Sequence, residues 1–119
     1  HGDQIICIDG GTSFKGTNAA HLFFGSRNTL GTVSWTIGSM CSIAADDKTS
    51  HFRLEAGMNN YKVIGAEFTG GKLYLSPKAF GSGAYLLHSN CVERGVNREL
   101  MPPQSEHVQY SQGNMIVSK

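Results

Sequence analysis

From residue 20 to residue 88, apolar and polar positions alternate in short runs that recur about every ten residues. The centres fall near Phe23, Val33, Ile43, Phe52, Val63, Leu73 and Tyr85, and nearly every gap between them contains a glycine. Alternation with a period of two puts one face of a strand in a core and the other in water. The clearest case is 32–38, where Val33, Trp35 and Ile37 alternate with Ser34 and Thr36. In 51–57, Arg53 and Glu55 fall on the face opposite Phe52, Leu54 and Ala56. The run 61–68 continues the pattern, with an irregularity expected at Gly65, and Thr69-Gly70-Gly71 closes it. Lys72 to Ser76 stops at Pro77, which has no N–H to give to a ladder. An opening strand is expected at 4–8, ended by Asp9-Gly10-Gly11.

Short strands at this spacing, punctuated by turn residues, predict an all-β fold. The expected form is short antiparallel strands with Gly-rich turns, arranged as an intertwined trimeric β-prism or β-helix stalk or as a small β-sandwich. No window sustains the i, i+3, i+4, i+7 apolar stripe of a helix, so helices should be minor. The stretch 91–100 is interrupted by Gly95, and after Pro102-Pro103 the composition turns polar. Residues 1–88 are therefore read as the β domain, and 89–119 as its irregular or extended C-terminal segment, with one terminal strand at 114–117.

A chain of 119 residues suits one domain. Its net charge of +1, carried by scattered single residues, lacks the basic stripe that nucleic-acid binding needs. No apolar run has the length of a membrane span, so no membrane insertion is expected. Leu, Ile, Val and Phe make up about 23% of the chain, little above the roughly 20% at which chains stop folding. Glycine, at 15 residues, is abundant. So thin a core favours a homotrimer, in which copies share buried surface and cover one another's sheet edges. Cys7, Cys41 and Cys91 are odd in number and widely spaced, which fits folding in a reducing compartment better than a disulfide framework.

No catalytic constellation stands out. Asp46-Asp47 and the following Lys48-Thr49-Ser50 read as a solvated turn. Gly10-Gly11 and Gly70-Gly71 read as turns, since neither sits in a phosphate-loop frame. Ser42, Cys41, His51 and Asp46 can be assembled into a nucleophilic set on paper, but no nucleophile elbow surrounds them. The chain is accordingly expected to be no enzyme and to need no cofactor. A free amino-terminal His1, with His21 or His51, is an alternative copper-binding reading. Among the aromatic residues Trp35, Tyr61, Tyr74 and Tyr85, any exposed ring offers an apolar face on which a sugar stacks. Trp35 lies in phase with Val33 and Ile37 and belongs to the core, whereas Tyr74 lies out of phase with Leu73 and Leu75 and is the better exposed platform. The expected ligand-binding set is Tyr74, Trp35, Tyr61 and Arg53.

Four stretches carry a family resemblance: Leu22-Phe23-Phe24-Gly25-Ser26, Val33 to Gly38, His51 to Glu55, and Gly70 to Pro77. Together, over about 20–88, they resemble the distal segments of bacteriophage tail fibres and tailspikes, endosialidase-type stalks included. The resemblance implies a trimeric, protease-resistant stalk or receptor-binding region of a virion protein, assembled in the host cytoplasm, that contacts bacterial surface polysaccharide. It implies no catalytic residue, because the hydrolytic groups of such spikes lie in a separate propeller and the Ser-Asp-x-Arg-Leu-Lys start of a self-cleaving chaperone is absent from 111–119. A secreted microbial β-sandwich effector or lectin remains the alternative.

Overall fold

The computed structural model describes residues 4–8, 13–16, 21–24, 33–38, 41–54, 59–75, 85–99 and 101–118. Within them the chain is all-β, with thirteen strands and no helix. They are β1 (Gln4–Ile8), β2 (Ser13–Gly16), β3 (His21–Phe24), β4 (Val33–Ile37), β5 (Ser42–Ala45), β6 (Ser50–Arg53), β7 (Asn59–Ile64), β8 (Glu67–Thr69), β9 (Lys72–Leu75), β10 (Tyr85–Ser89), β11 (Val92–Arg94), β12 (Val108–Tyr110) and β13 (Met115–Val117).

The strands form three sheets. One is ordered β1-β4-β7-β10-β12, the second β13-β11-β8-β5-β2 and the third β3-β6-β9. Each strand thus bonds to the strand three places on, apart from the last turn, where a single parallel bridge between Lys72 and Asn97 stands in for the third sheet. Every pairing is parallel. Val33 faces Gln4, Asn59 faces Val33, Tyr85 faces Asn60 and Val108 faces Leu86, so a turn of the coil takes about 22–29 residues. This is a single-chain parallel β-solenoid.

The antiparallel pairing expected from the sequence is therefore corrected. Alternation with a period of two reports which face is wet and is silent on strand direction. The ten-residue metre is three strands and three corners per turn, and a strand's partner lies a full turn away. The parallel ladder likewise sets aside the antiparallel sandwich.

The corners explain the glycines. Between the first and second sheets the third and fourth turns use a two-residue corner, Gly65-Ala66 and Asn90-Cys91, whose first residue is left-handed (φ 75° and 54°). Gly65 is thus the end of one strand and the start of another, where the sequence suggested a bulge in one. Asparagine tolerates the same backbone because its short side chain clashes little there. Between the second and third sheets Gly70 and Gly71 have φ of 63° and 65°. A Cβ on Gly70 would lie 2.4 Å from the Ala45 carbonyl oxygen, so only glycine lets the turns stack here.

The segment 89–119 is not a loose tail. It holds β11, β12 and β13 and continues the first and second sheets. Polar composition misled because Val92, Glu93 and Arg94 reverse the usual pattern, with Glu93 pointing inward in register with Phe68.

The core runs through the coil. Ile37, Ile43, Phe52, Tyr61, Val63, Phe68, Leu73, Tyr74 and Leu86 are wholly buried within the one chain. Phe52 stacks on Tyr74 with centroids 5.2 Å apart and meets Phe68 edge-on at 5.9 Å. Rings on successive turns are brought into contact by the strand spacing itself, and each buried side chain of this size contributes about 1.5–3 kcal/mol. At the far end, Met115, Ile116 and Val117 of β13 remain exposed.

Candidate functional site

Two arrangements of side chains stand apart from this apolar core, one inside the coil and one on its outer surface.

The interior turns polar at the fourth turn. His88 comes from β10 and Glu93 from β11, and the sharp Asn90-Cys91 corner between them points both inward. His88 Nε2 lies 3.0 Å from Glu93 Oε2, and His88 Nδ1 lies 2.8 Å from the Tyr74 hydroxyl. With the Nε2 proton donated to the carboxylate, Nδ1 accepts the Tyr74 O–H, and a neutral imidazole satisfies both neighbours. The other carboxylate oxygen of Glu93 is 2.8 Å from Arg98 Nε, an ion pair without hydrogen-bond alignment. The Arg98 guanidinium sits 5.8 Å over the Tyr110 ring, and the Tyr110 hydroxyl donates to the Pro102 carbonyl at 2.6 Å. Burial, reinforced by Cys91, Tyr110 and Glu93, holds the Tyr74 hydroxyl well above its ordinary pKa, so it stays protonated as the donor.

A histidine hydrogen-bonded to a carboxylate is the core of a general base. Here Tyr74, His88 and Glu93 are all 0% exposed, which leaves no face for a reactant. What the chain of groups does is let the fourth turn carry polar side chains inward without stranding a charge. His51 is a separate case. Its Nε2–H donates to the Gly70 carbonyl at 2.8 Å, its Nδ1 has no hydrogen-bond partner among the described residues, and burial pushes its pKa down.

These positions correct two of the expected ligand-binding residues. Tyr74 is no exposed platform: both it and Leu73 are wholly buried, so strict alternation fails in this four-residue strand, which starts directly from the Gly70-Gly71 corner. Tyr61 is also wholly buried. Arg53 is half-buried at the end of β6, and Trp35 lies in β4 in register with Tyr61, its side chain outside the described residues. The four do not form one site. His1, of the copper reading, is likewise outside the described residues, and among these there is no metal-binding cluster. Asp46 behaves as the sequence suggests: its Oδ1 accepts the Lys48 N–H at 3.1 Å and the Thr49 hydroxyl at 2.7 Å, a turn between β5 and β6.

The fourth aromatic residue, Tyr85, has a different setting. In β10, Leu86 and His88 point inward while Tyr85, Leu87 and Ser89 lie on the outer face. Parallel register then aligns neighbours in ranks. Asn60 lies opposite Tyr85 on the turn before, and His107 follows on the turn after, its carbonyl accepting the Leu86 N–H at 2.8 Å. Lys62 and Gln109 flank Leu87 in the same way. Tyr85, Leu87, Glu106, His107 and Gln109 border a hollow of about 230 Å³, with His107 Nε2 3.2 Å from Glu106 Oε1. A second, larger groove of about 450 Å³ lies at the corner between the second and third sheets, lined by Asp47, Gly71, Gly95, Asn97, Ile116 and Ser118 among others. It has no aromatic side chain.

Cys41 and Cys91 are buried thiols of one corner column. The Glu67 N–H donates to the Cys41 carbonyl and the Val92 N–H to that of Ala66, so Ala66 lies between the two cysteines. Two strand spacings, about 10 Å, exceed the roughly 7 Å that a disulfide spans. Burial raises the Cys91 thiol to about 11.

Among the described residues no helix is long and apolar enough to cross a membrane. Compared with protein-family models, curated proteins and solved structures, the chain matches none of them. The functional reading rests on the coil and its surfaces alone.

Proposed function

We propose that this chain is a non-catalytic structural and receptor-binding segment of a bacteriophage tail fibre or tailspike, part of the virion, that contacts bacterial surface polysaccharide as a homotrimer. The observation that carries the reading is the coil itself. Among the described residues its core is continuous, and its outer ranks repeat side chains at the spacing of one strand, about 4.8 Å. A coil with a patterned polar face suits attachment to a repetitive polymer, and the histidine–carboxylate pair found in the interior among the described residues, His88 and Glu93, is closed to reactants. Association is favoured by the exposed Met115, Ile116 and Val117 of β13 on an open sheet edge, which self-assembly would cover.

Solution mass together with glycan binding tests this. The expected result is a particle of three times 12.8 kDa that binds purified capsular polysaccharide or lipopolysaccharide from some bacterium. A 12.8 kDa species that binds none of a broad panel overturns it.

A further inference from the structure

We infer that the outer face of the first sheet at Tyr85 and Leu87 is a binding subsite for a neutral pyranose ring of a polysaccharide. The inference rests on the attachment reading above and names where, and to which sugar class, it applies.

A pyranose has an apolar side, made of axial C–H groups, and a rim of hydroxyls. Recognition in water needs a flat apolar surface with hydrogen-bonding groups on both sides of it. The coil builds this from register alone. Tyr85 and Leu87 form a central apolar strip on β10. Asn60 and Lys62 of β7 flank it on one side. On the other side stand His107 and Gln109, the latter in register with Leu87. Amide, ammonium and imidazole groups supply both donors and acceptors for sugar hydroxyls. The adjoining hollow, at about 230 Å³, is below the usual range for drug-sized ligands and suits about one ring.

Glu106 decides the sugar class. Its carboxylate, 86% exposed, lies at the rim beside His107, and among the described residues that flank the strip the one fixed positive charge is that of Lys62. The described residues of the patch thus carry one charge of each sign, which gives no net pull on an anionic sugar, whereas a carboxylate accepting two hydroxyls favours a neutral one. The larger groove at the opposite corner lacks an aromatic floor and is lined by the glycines that the corners require for their own geometry.

The test uses the whole chain, wild type and the variants Tyr85→Ala, Gln109→Ala and, from the other groove, Asp47→Ala. The probes are purified capsular polysaccharides and lipopolysaccharide O-chains with neutral and with anionic repeat units, with circular dichroism to confirm that each variant folds. The expected result is binding of at least one neutral polymer, weakened tenfold or more by Tyr85→Ala, several-fold by Gln109→Ala and unchanged by Asp47→Ala. If wild type binds but Tyr85→Ala and Gln109→Ala bind equally well, or Asp47→Ala alone weakens binding, the subsite is overturned while the attachment reading survives. Binding confined to anionic polymers overturns the sugar class. Binding to no polymer overturns the attachment reading and the subsite with it.

Discussion

His88 and Glu93 meet 3.0 Å apart inside the coil, five residues apart in sequence and on two different sheets. The contact exists because Asn90 takes a left-handed backbone and turns the chain through a corner in two residues. Glu93 thereby occupies the inward register position that Ile43 and Phe68 hold on the turns before.

Removing one member of this pair should harm the fold more than replacing the whole buried chain of Tyr74, His88 and Glu93 by apolar side chains. Glu93→Ala leaves the buried His88 N–H without its acceptor and the partly exposed Arg98 guanidinium without its counter-ion, and a buried donor left unpaired costs about 1–3 kcal/mol. The triple variant Tyr74→Phe, His88→Leu, Glu93→Leu also removes the hydroxyl that His88 accepts from, restores an apolar column and should recover a large part of that loss. Urea midpoints of the three proteins measure it, and equal destabilisation by the single and triple variants would remove the pair from the account.

The two-residue corners predict opposite outcomes for two substitutions. Gly70→Ala adds a Cβ against the Ala45 carbonyl oxygen at a positive φ and should lower stability by about 2 kcal/mol or more. Asn90→Gly keeps the left-handed backbone accessible and should be close to neutral. Thermal unfolding of both variants checks the contrast.

Stability should fall on the acid side partly through His51. Its folded pKa lies below the ordinary 6.5, chiefly from burial, so the unfolded chain takes up the proton first. The stabilising term is complete above the unfolded value and is lost as pH falls through 6.5 towards the lower folded value. His51→Phe should flatten the decline between about pH 7 and pH 5, as seen in urea midpoints across that range.

On the alkaline side the buried Cys91 thiol, raised from 9.0 to about 11, acts in reverse. Its term is intact below pH 9 and is lost as pH climbs from 9 to 11, where the unfolded chain ionises first. The same burial should make Cys41 and Cys91 inert to a thiol reagent at pH 8 until urea is added. A Cys7→Ser variant isolates these two thiols, and rapid labelling of the native protein would contradict their placement.

The strands themselves were legible in the sequence, because alternation survives wherever a sheet has one wet face. Val33 to Ile37 lies where the pattern puts it, whereas β6 runs only from Ser50 to Arg53 against the expected 51–57 and buries Ser50, His51 and Phe52 in succession. Direction was not legible, since a strand's partner sits a whole turn away and leaves no local trace. The burial of Tyr74 was not legible, because alternation fails in a short strand that starts directly from the Gly70-Gly71 corner. Glu93 gave no signal, as alternation around it would have put Val92 inside instead. Tyr85 could be named as a ring able to stack on a sugar, but its flanking ranks from Asn60, Lys62, His107 and Gln109 exist only once the turns are in register.

Attachment without cleavage is the claim on which the rest depends, and the fate of a bound polymer tests it most directly. The protein is incubated with a polysaccharide that it binds, and the polymer's size distribution and reducing ends are followed over hours. The account predicts co-migration of protein with polymer of undiminished length. Shortening of the chains with release of new ends would contradict it.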